Sequence, residues 1–267
     1  MLRPARELVR FRGLLGTLTA RELKARYRGS VLGFLWSLAN PLLQLAVYTF
    51  VFGLIFRPHG GGLADPYALF LITGLFPWVW VSSSILEGSM SFIASSGLLR
   101  KAVFPVELLP TVAVLSNLVH FLLAVPILAA ALAVGRGLGY GVSGWPALLL
   151  PAIVVLQLPM VTGLVLGISA LNVHFKDVRD IVANLMTLLF FLTPILYPLE
   201  AIPYRSLWWL VRLNPFTPYT LGYQQTLFYG VVPDPTLWAQ MALVALVAWA
   251  SGAWLFERLR ETLVEAA

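Results

Sequence analysis

Few residues in this chain have side chains that could do chemistry. His120 lies inside a long apolar stretch, where an ionisable residue indicates a functional site by default and suggests a membrane-embedded acyl or glycosyl transferase. Asn117 precedes it by about one helical turn, and no carboxylate partner is expected at that depth. Hydrogen bonding of this polar pair to neighbouring helices is therefore the favoured interpretation, and the transferase is the alternative.

Several other sequence motifs for chemistry are missing. The chain has no Gly-x-x-x-x-Gly-Lys-Ser/Thr loop, so ATP phosphates have no usual cradle here, and any nucleotide energy must come from a partner. Gly60-Gly61-Gly62 resembles an oxyanion loop, but no Gly-x-Ser-x-Gly nucleophile accompanies it. Cysteine is absent, which excludes disulfides and thiolate metal sites. We expect this chain to bind no metal or cofactor of its own.

The composition predicts the elements that carry these residues. Of 267 residues, 59% are hydrophobic and 11% are charged, with a mean hydropathy of +0.84, which leaves too little polar surface for a soluble globule. A bilayer core requires about 20 apolar residues per helix. Six runs meet or approach that length, so we predict an all-α membrane protein with six transmembrane helices. The predicted spans are about 33–56, 67–87, 109–134, 146–171, 181–198 and 238–256.

The distribution of Lys and Arg predicts the orientation. Fourteen of the eighteen basic residues fall before the first span or in alternate connections, and only Arg57, Arg136, Arg205 and Arg212 fall in the others. Because cytoplasmic loops are enriched in Lys and Arg, both termini should be cytoplasmic. The net charge of +6 then reflects topology, and it does not indicate a nucleic-acid partner.

The N-terminal segment of the chain differs from the apolar runs that follow it. In residues 6–28, Leu8, Phe11, Leu15 and Leu18 recur at helical spacing among basic residues, which is typical of an amphipathic helix at a membrane interface. We assign residues 1–32 to this cytoplasmic N-terminal helix and 33–267 to the transmembrane domain.

The connection 199–237 is rich in proline and aromatic residues. It is too broken for two further spans, so we predict re-entrant helices that form an external gate. The gate candidates are Trp208, Trp209, Tyr219 and Tyr223.

Five motifs, in order along almost the whole chain, carry a family resemblance. They are RELKARYRGSVLGFLW at 21–36, LRKAVFP at 99–105, FKDVRDI at 175–181, FLTPILYP at 191–198 and NPFTP at 214–218. This set resembles the ABC-2 polysaccharide-export permeases. One departure follows NPFTP, where many relatives carry Arg after a Tyr, while this chain has Tyr223-Gln224-Gln225.

The resemblance implies a multi-pass permease of the bacterial cytoplasmic (inner) membrane. Such a permease pairs with a second copy of itself and with two ATP-binding cassette subunits, which hold ATP and Mg. Its cargo is a lipid-linked polysaccharide such as O-antigen, and the alternatives are capsule, teichoic acid, a lipid or a drug. Under this interpretation the chain is a transport subunit and not an enzyme. Three classes of function therefore stay open: the exporter subunit, the membrane-embedded transferase and a purely structural membrane anchor.

Two cytoplasmic connections are candidate ATPase contacts. In 88–108, Ser95 and Ser96 can cap a short helix that Phe104-Pro105 ends, so we predict a coupling helix there. Its candidate residues are Ser96, Leu98, Leu99, Arg100, Lys101, Phe104 and Pro105. The connection 172–180 is either a second ATPase contact or a partner of the N-terminal helix in salt bridges. Its candidates are His174, Lys176, Asp177, Arg179 and Asp180.

Two stripes of polar and aromatic residues are candidates for a substrate conduit. Gln44, Tyr48 and Phe52 form the tightest group on the first span, and Asn184, Thr187 and Phe191 share a face of the fifth. Aromatic rings suit the C–H faces of sugars, while amides and hydroxyls suit their hydroxyl groups. Helix packing or interfacial aromatics would give the same stripes, and that alternative stays open.

Overall fold

The computed structural model describes residues 2–48, 50–51, 66–95, 97, 105–140, 144–202, 204, 206 and 208–266. The regular structure in these ranges is helical, and they contain no strand. The helices, in chain order, are α1 Leu2–Arg10, α2 Arg12–Arg26, α3 Trp36–Tyr48, α4 Tyr67–Ser89, α5 Ser91–Ala94, α6 Leu108–Gly137, α7 Leu150–His174, α8 Val178–Leu192, α9 Trp208–Leu213, α10 Thr217–Tyr223 and α11 Pro235–Ala266.

Four of the predicted spans are helices that are long and apolar enough to cross a membrane. They cover Tyr67–Ser89, Leu108–Gly137, Trp145–His174 and Pro235–Arg260. The third begins as a 3-10 turn over Trp145–Leu149 before it becomes α7. Each of the four matches a predicted run. A continuous apolar segment of this length fits a bilayer as a helix, because a helix satisfies the backbone hydrogen bonds within the segment.

The other two predicted spans are shorter in the described structure. Helix α3 has 13 residues, and the rest of the predicted run 33–56 lies largely outside the described ranges. Helix α8 has 15 residues and ends at Leu192, before the predicted end at 198. Thr193 is extended because the following Pro194 disfavours helical backbone at the residue before it.

Helix α4 lies at the centre of the fold. Its residues 70–78 are all buried, and it packs against α3, α6, α7, α8 and α10. Trp80 stacks on Phe121 of α6 with ring centroids 5.5 Å apart, and the Trp80 indole N–H donates to the carbonyl of Val114. This aromatic pair thus contributes to the contact between α4 and α6.

The closest helix–helix contact joins α7 and α11. Gly163 of α7 meets the backbone of Ala248 and Trp249, and Gly252 of α11 meets the backbone of Gly163. Small residues let two helix backbones approach in this way without displacing side chains. Gly167, four residues after Gly163 on α7, also lies against Gly252, so both glycines are used for packing within the chain.

Side-chain contacts sort the helix termini into two ends of the bundle. At one end Arg260 pairs with Glu107, Phe92 packs on Phe256, and Asn172 binds the end of α4. At the other end the Tyr67 hydroxyl donates to the carbonyl of Leu196. We call the first the basic end, because Lys176, Arg179, Arg258 and Arg260 lie there.

The N-terminal helices pack against the basic end. Leu15 of α2 is buried against Leu108 and Val112 of α6, with Leu8, Phe11 and Leu18 beside it. The apolar stripe seen in the sequence is thus covered by protein. The predicted helix 6–28 is broken into α1 and α2 at Phe11.

Candidate functional site

A polar network joins α2, α4 and α6 near the basic end. Arg26, the last residue of α2, binds both carboxylate oxygens of Glu87 and also donates to Oδ1 of Asn117 at 3.1 Å. Asn117 Nδ2 donates to Glu87 Oε2 at 2.6 Å. The next residue, Tyr27, is hydrogen-bonded through its hydroxyl to Nε2 of His120 at 2.6 Å.

Local structure explains why these groups meet. Glu87 lies in the last turn of α4, and Asn117 and His120 lie in the third and fourth turns of α6, three residues apart and so on one face. The backbone leaves the helix at Tyr27, which places its side chain and that of Arg26 beside this face. The expectation that no carboxylate partner is present is wrong for Asn117, because Glu87 supplies one from α4.

This network borders a cavity of about 390 Å³. Its walls come from α3, α4 and α6 and from the end of α2, and they combine amides, hydroxyls and aromatic rings. Besides the network residues, they include Trp36, Ser37, Asn40, Gln44, Trp80 and Ser83. A polar cavity lined by helices is the setting in which membrane proteins retain ionisable side chains, because pairing and water offset the cost of the charges.

The geometry does not favour acid–base or nucleophilic chemistry at His120. Its Nε2 is occupied by the Tyr27 hydroxyl, and Glu87 is paired with Arg26 and Asn117. In the described ranges, no group of three or more His, Cys, Asp or Glu residues has the geometry to hold a metal ion. The cluster instead ties three helices together through charge-assisted hydrogen bonds.

A second polar junction lies at the start of α8, and sequence reasoning missed its central residue. Asn172 is buried; its Nδ2 donates to the carbonyl of Ser89 at 2.9 Å, and its Oδ1 accepts from the backbone N–H of Arg179 at 3.1 Å. One side chain therefore fixes the end of α4 against the turn between α7 and α8. An asparagine in a long apolar run was the available signal.

The structure places the second-contact residues at the basic end. Lys176, Asp177, Arg179 and Asp180 are exposed, and none of these four makes an ion pair within the described ranges. His174 is half-buried, and its Nδ1 is 2.9 Å from the carbonyl of Ala170. The alternative of salt bridges from these four residues to the N-terminal helix therefore has no support in the described residues.

Most of the predicted coupling helix lies outside the described residues. This applies to Ser96, Leu98, Leu99, Arg100, Lys101 and Phe104. Pro105 is described and half-buried, and Glu107 two residues later is 1% exposed. Glu107 Oε2 lies 3.6 Å from Nη2 of Arg260. This ion pair joins the C-terminal helix α11 to the residue directly before α6.

The conduit candidates separate into two groups. Gln44 is half-buried and faces the cavity between α3, α4 and α6, and Tyr48 packs against the core. Asn184, Thr187 and Phe191 are exposed on α8, which packs on α4 and α7. Phe52 lies outside the described residues.

The gate candidates also divide. Tyr219 and Tyr223 are buried in the core; the Tyr219 hydroxyl donates to the carbonyl of Met241 at 2.6 Å, and the Tyr223 hydroxyl donates to Gln157 at 2.6 Å. Trp208 is half-buried under the guanidinium of Arg212, and Trp209 is exposed. In this conformation the two tyrosines contact other helices and the two tryptophans lie nearer the surface.

Fold and site together define a multi-pass helical membrane protein without a nucleotide-phosphate loop of its own. The profile of the family described as ABC-2 type transporter matches residues 13–228. The chain belongs to the ABC-2 type transporter family, whose members are transport subunits.

Named relatives extend this likeness over the whole chain. The chain is 39% identical to the O-antigen export system permease protein RfbA of Myxococcus xanthus, over 99% of both chains. It is 37% identical to a protein of the same name from Klebsiella pneumoniae, over 82% of both. It is 24% identical to the polysialic acid transport protein KpsM of Escherichia coli, over 92% of this chain and 93% of that one.

Proposed function

We propose that this chain is the membrane-spanning subunit of an ATP-driven exporter of a lipid-linked, O-antigen-like polysaccharide. The observation that carries the proposal is the 39% identity, over 99% of both chains, to a protein named as an O-antigen export permease. Export of a capsular polysaccharide is the second candidate, because the chain also matches a polysialic acid transport protein over most of its length.

The topology that fits this function has six spans in the bacterial inner membrane. The four long helices supply spans two, three, four and six, while α3 and α8 start the first and fifth. Both termini then lie in the cytoplasm, because Lys and Arg concentrate at the basic end. Helices α9 and α10 are the re-entrant pieces of the opposite end, residues 1–32 the interfacial N-terminal part and 33–267 the transmembrane domain.

The assembly that fits this function is a homodimer with two ATP-binding cassette subunits, which bind ATP and Mg. Two features support it. The chain has no phosphate loop. Helix α8 exposes Ile181, Leu185, Leu188 and Phe191 together with Asn184 and Thr187, and a second copy would cover such a face. The dimer would also bring the stripes of α3 and α8 to a shared conduit, since α4 separates them in one chain.

Movement of the ATPase reaches the membrane helices through the connection 88–108. This connection joins the end of α4 to the start of α6, and Glu87 and Asn117 lie on those two helices. Arg26 binds both residues, so a displacement of the connection is transmitted to α2, and the hydrogen bond of Tyr27 with His120 ties the end of α2 back to α6. Asn172 transmits the same displacement to the 172–180 connection.

The test is purification of the chain with candidate ATPase subunits, followed by ATP hydrolysis measurements. We expect a stoichiometric complex whose hydrolysis rate changes when the Leu98–Phe104 segment is replaced by a Gly/Ser sequence of equal length. A matched control replaces residues 138–144, which join α6 to the next span at the opposite end. If the chain forms a complex with none of these ATPases, the proposal is contradicted, and the transferase that uses His120 returns to consideration.

A further inference from the structure

A cavity of about 340 Å³ lies at the end of the bundle opposite the basic end. It is separate from the polar network around Arg26. Its lining comes from the segment after α8, from α10 and from the turn that follows α10, and it includes Glu200, Leu221, Gln224, Gln225, Tyr229 and Val231. Small-molecule sites in proteins span about 300–1,000 Å³, so this cavity has room for one small ligand.

A π-helical turn shapes one wall of the cavity. It covers Gln224–Phe228, and the backbone N–H of Tyr229 donates to the carbonyl of Gln224 at 2.9 Å. The side chain of Gln224 is held in place, because its Nε2 donates to the carbonyl of Pro194 at 2.7 Å. Turns of this kind are rare, and they occur frequently at functional sites.

One polar atom in this wall has no protein partner. Gln225 lines the cavity, and its Oε1 is buried without a hydrogen bond in the described structure. An unsatisfied buried acceptor costs about 1–3 kcal/mol. After a turn of the Gln225 amide toward the cavity, a ligand hydroxyl would remove this cost by donating to Oε1.

The remaining groups define the chemistry of that ligand. Glu200 contributes a carboxylate, and Tyr229 contributes a ring that packs edge-on to Phe70 and Phe228. Burial and, secondly, the Glu200 charge raise the pKa of Tyr229 to about 12, so its hydroxyl is a neutral donor at physiological pH. Among the described lining residues there is no Lys, Arg or His to attract an anionic ligand, and the Glu200 charge would repel one.

We propose that this cavity binds one neutral pyranose ring of the exported glycan. The sugar hydroxyls donate to Glu200 and to Gln225 Oε1 and accept from Tyr229, while the C–H face lies on the apolar wall. Because the cavity lies at the end where export delivers the glycan, an occupied site would retain the emerging chain. The proposal rests on the proposed function for its glycan and on the cavity for its chemistry.

The test uses the full-length chain in lipid nanodiscs and saturation-transfer NMR with methyl glycosides of glucose, mannose, galactose and N-acetylglucosamine. We expect transfer to at least one neutral glycoside at millimolar concentration, and none to methyl glucuronide. Glu200→Gln and Gln225→Ala should each reduce the transfer at least about five-fold. Asp234→Asn is the matched control, since it removes an exposed carboxylate at the same end outside the cavity, and it should leave the transfer unchanged.

A second variant guards against misfolding of the first. Val231 is 49% exposed, so Val231→Trp can fill the cavity from its rim without disturbing the core, and it should abolish the transfer. Equal transfer in all variants, no transfer from any neutral glycoside, or equal binding of the glucuronide would overturn the proposal. Export without sugar binding would refute this site alone, whereas sugar binding by a chain that forms no complex with an ATPase would refute the exporter alone.

Discussion

Gly252→Ala is predicted to destabilise the fold through the contact of α7 with α11. A Cβ added at Gly252 would lie 1.8 Å from the carbonyl oxygen and 2.4 Å from the carbonyl carbon of Gly163. Both atoms belong to the backbone, so no side-chain rotation relieves the clash. The two helices must instead separate by about 1.2 Å to restore a distance of at least 3.0 Å.

The size of the effect follows from two opposing terms. Overpacking costs about 1–3 kcal/mol, and a clash between two backbones lies at the upper end. Alanine in a helix interior recovers about 1 kcal/mol relative to glycine. The net loss is therefore about 2 kcal/mol, which corresponds to a fall in Tm of about 4–8 °C at 2–4 °C per kcal/mol.

The assay is thermal unfolding of the purified chain in one detergent, followed by intrinsic fluorescence. Gly16→Ala is the matched control, because a Cβ at this helical position in α2 meets nothing within 4 Å. That variant should match or exceed the stability of the original chain. A Gly252→Ala chain with an unchanged Tm would refute the close approach of α7 and α11.

Four other changes test different parts of the structure. Glu107→Gln removes the buried partner of Arg260 and should lower the free energy of unfolding by about 1–3 kcal/mol, whereas Asp180→Asn, at an exposed position of α8, should change it by less than about 0.5 kcal/mol. Asn172→Ala leaves the Ser89 carbonyl and the Arg179 N–H unpaired and should cost about 2 kcal/mol; Asn184→Ala, on an exposed face, is the control, and equal losses would contradict the role of Asn172. The ionisation of Tyr229 can be isolated by subtracting the absorbance of a Tyr229→Phe chain. Its titration midpoint should lie near pH 12. The midpoint should move to lower pH in Glu200→Gln, because the negative charge that opposes ionisation is lost. Tyr48→Ala should reduce glycan export severalfold in cells without preventing assembly, and unchanged export would remove α3 from the conduit.

The four long helices are predictable because each apolar run is longer than the bilayer requires. The early end of α8 was also visible, since Thr193-Pro194 stands inside the predicted run. The separation of α1 from α2 was not visible, because Phe11 continues the apolar stripe of its neighbours. A stripe indicates that a face is covered, but both a membrane surface and α6 can cover it, and here α6 does.

The polar network was only half predictable. Asn117 and His120 stand out as polar residues in an apolar run, but Glu87 is the last residue of the predicted span 67–87, where a carboxylate indicates only the membrane boundary. The pairing depends on how α4 and α6 pack against each other, and a single sequence does not specify that packing. The same limit applies to Tyr219 and Tyr223, whose position in a proline-rich connection indicates a surface, although α10 packs them onto α7 and α11.

The central claim is that this chain moves a lipid-linked glycan with energy from a partner ATPase. The direct measurement is ATP-dependent export in bacterial cells that lack their own O-antigen export permease and express this chain with its ATPase subunit, scored by antibody binding to surface glycan. The account predicts surface glycan with the intact pair, and none when the ATPase cannot hydrolyse ATP or when Leu98–Phe104 is replaced. Surface glycan that persists without ATP hydrolysis would contradict the account. So would a complex that assembles and hydrolyses ATP but brings none of the supplied lipid-linked glycans to the surface.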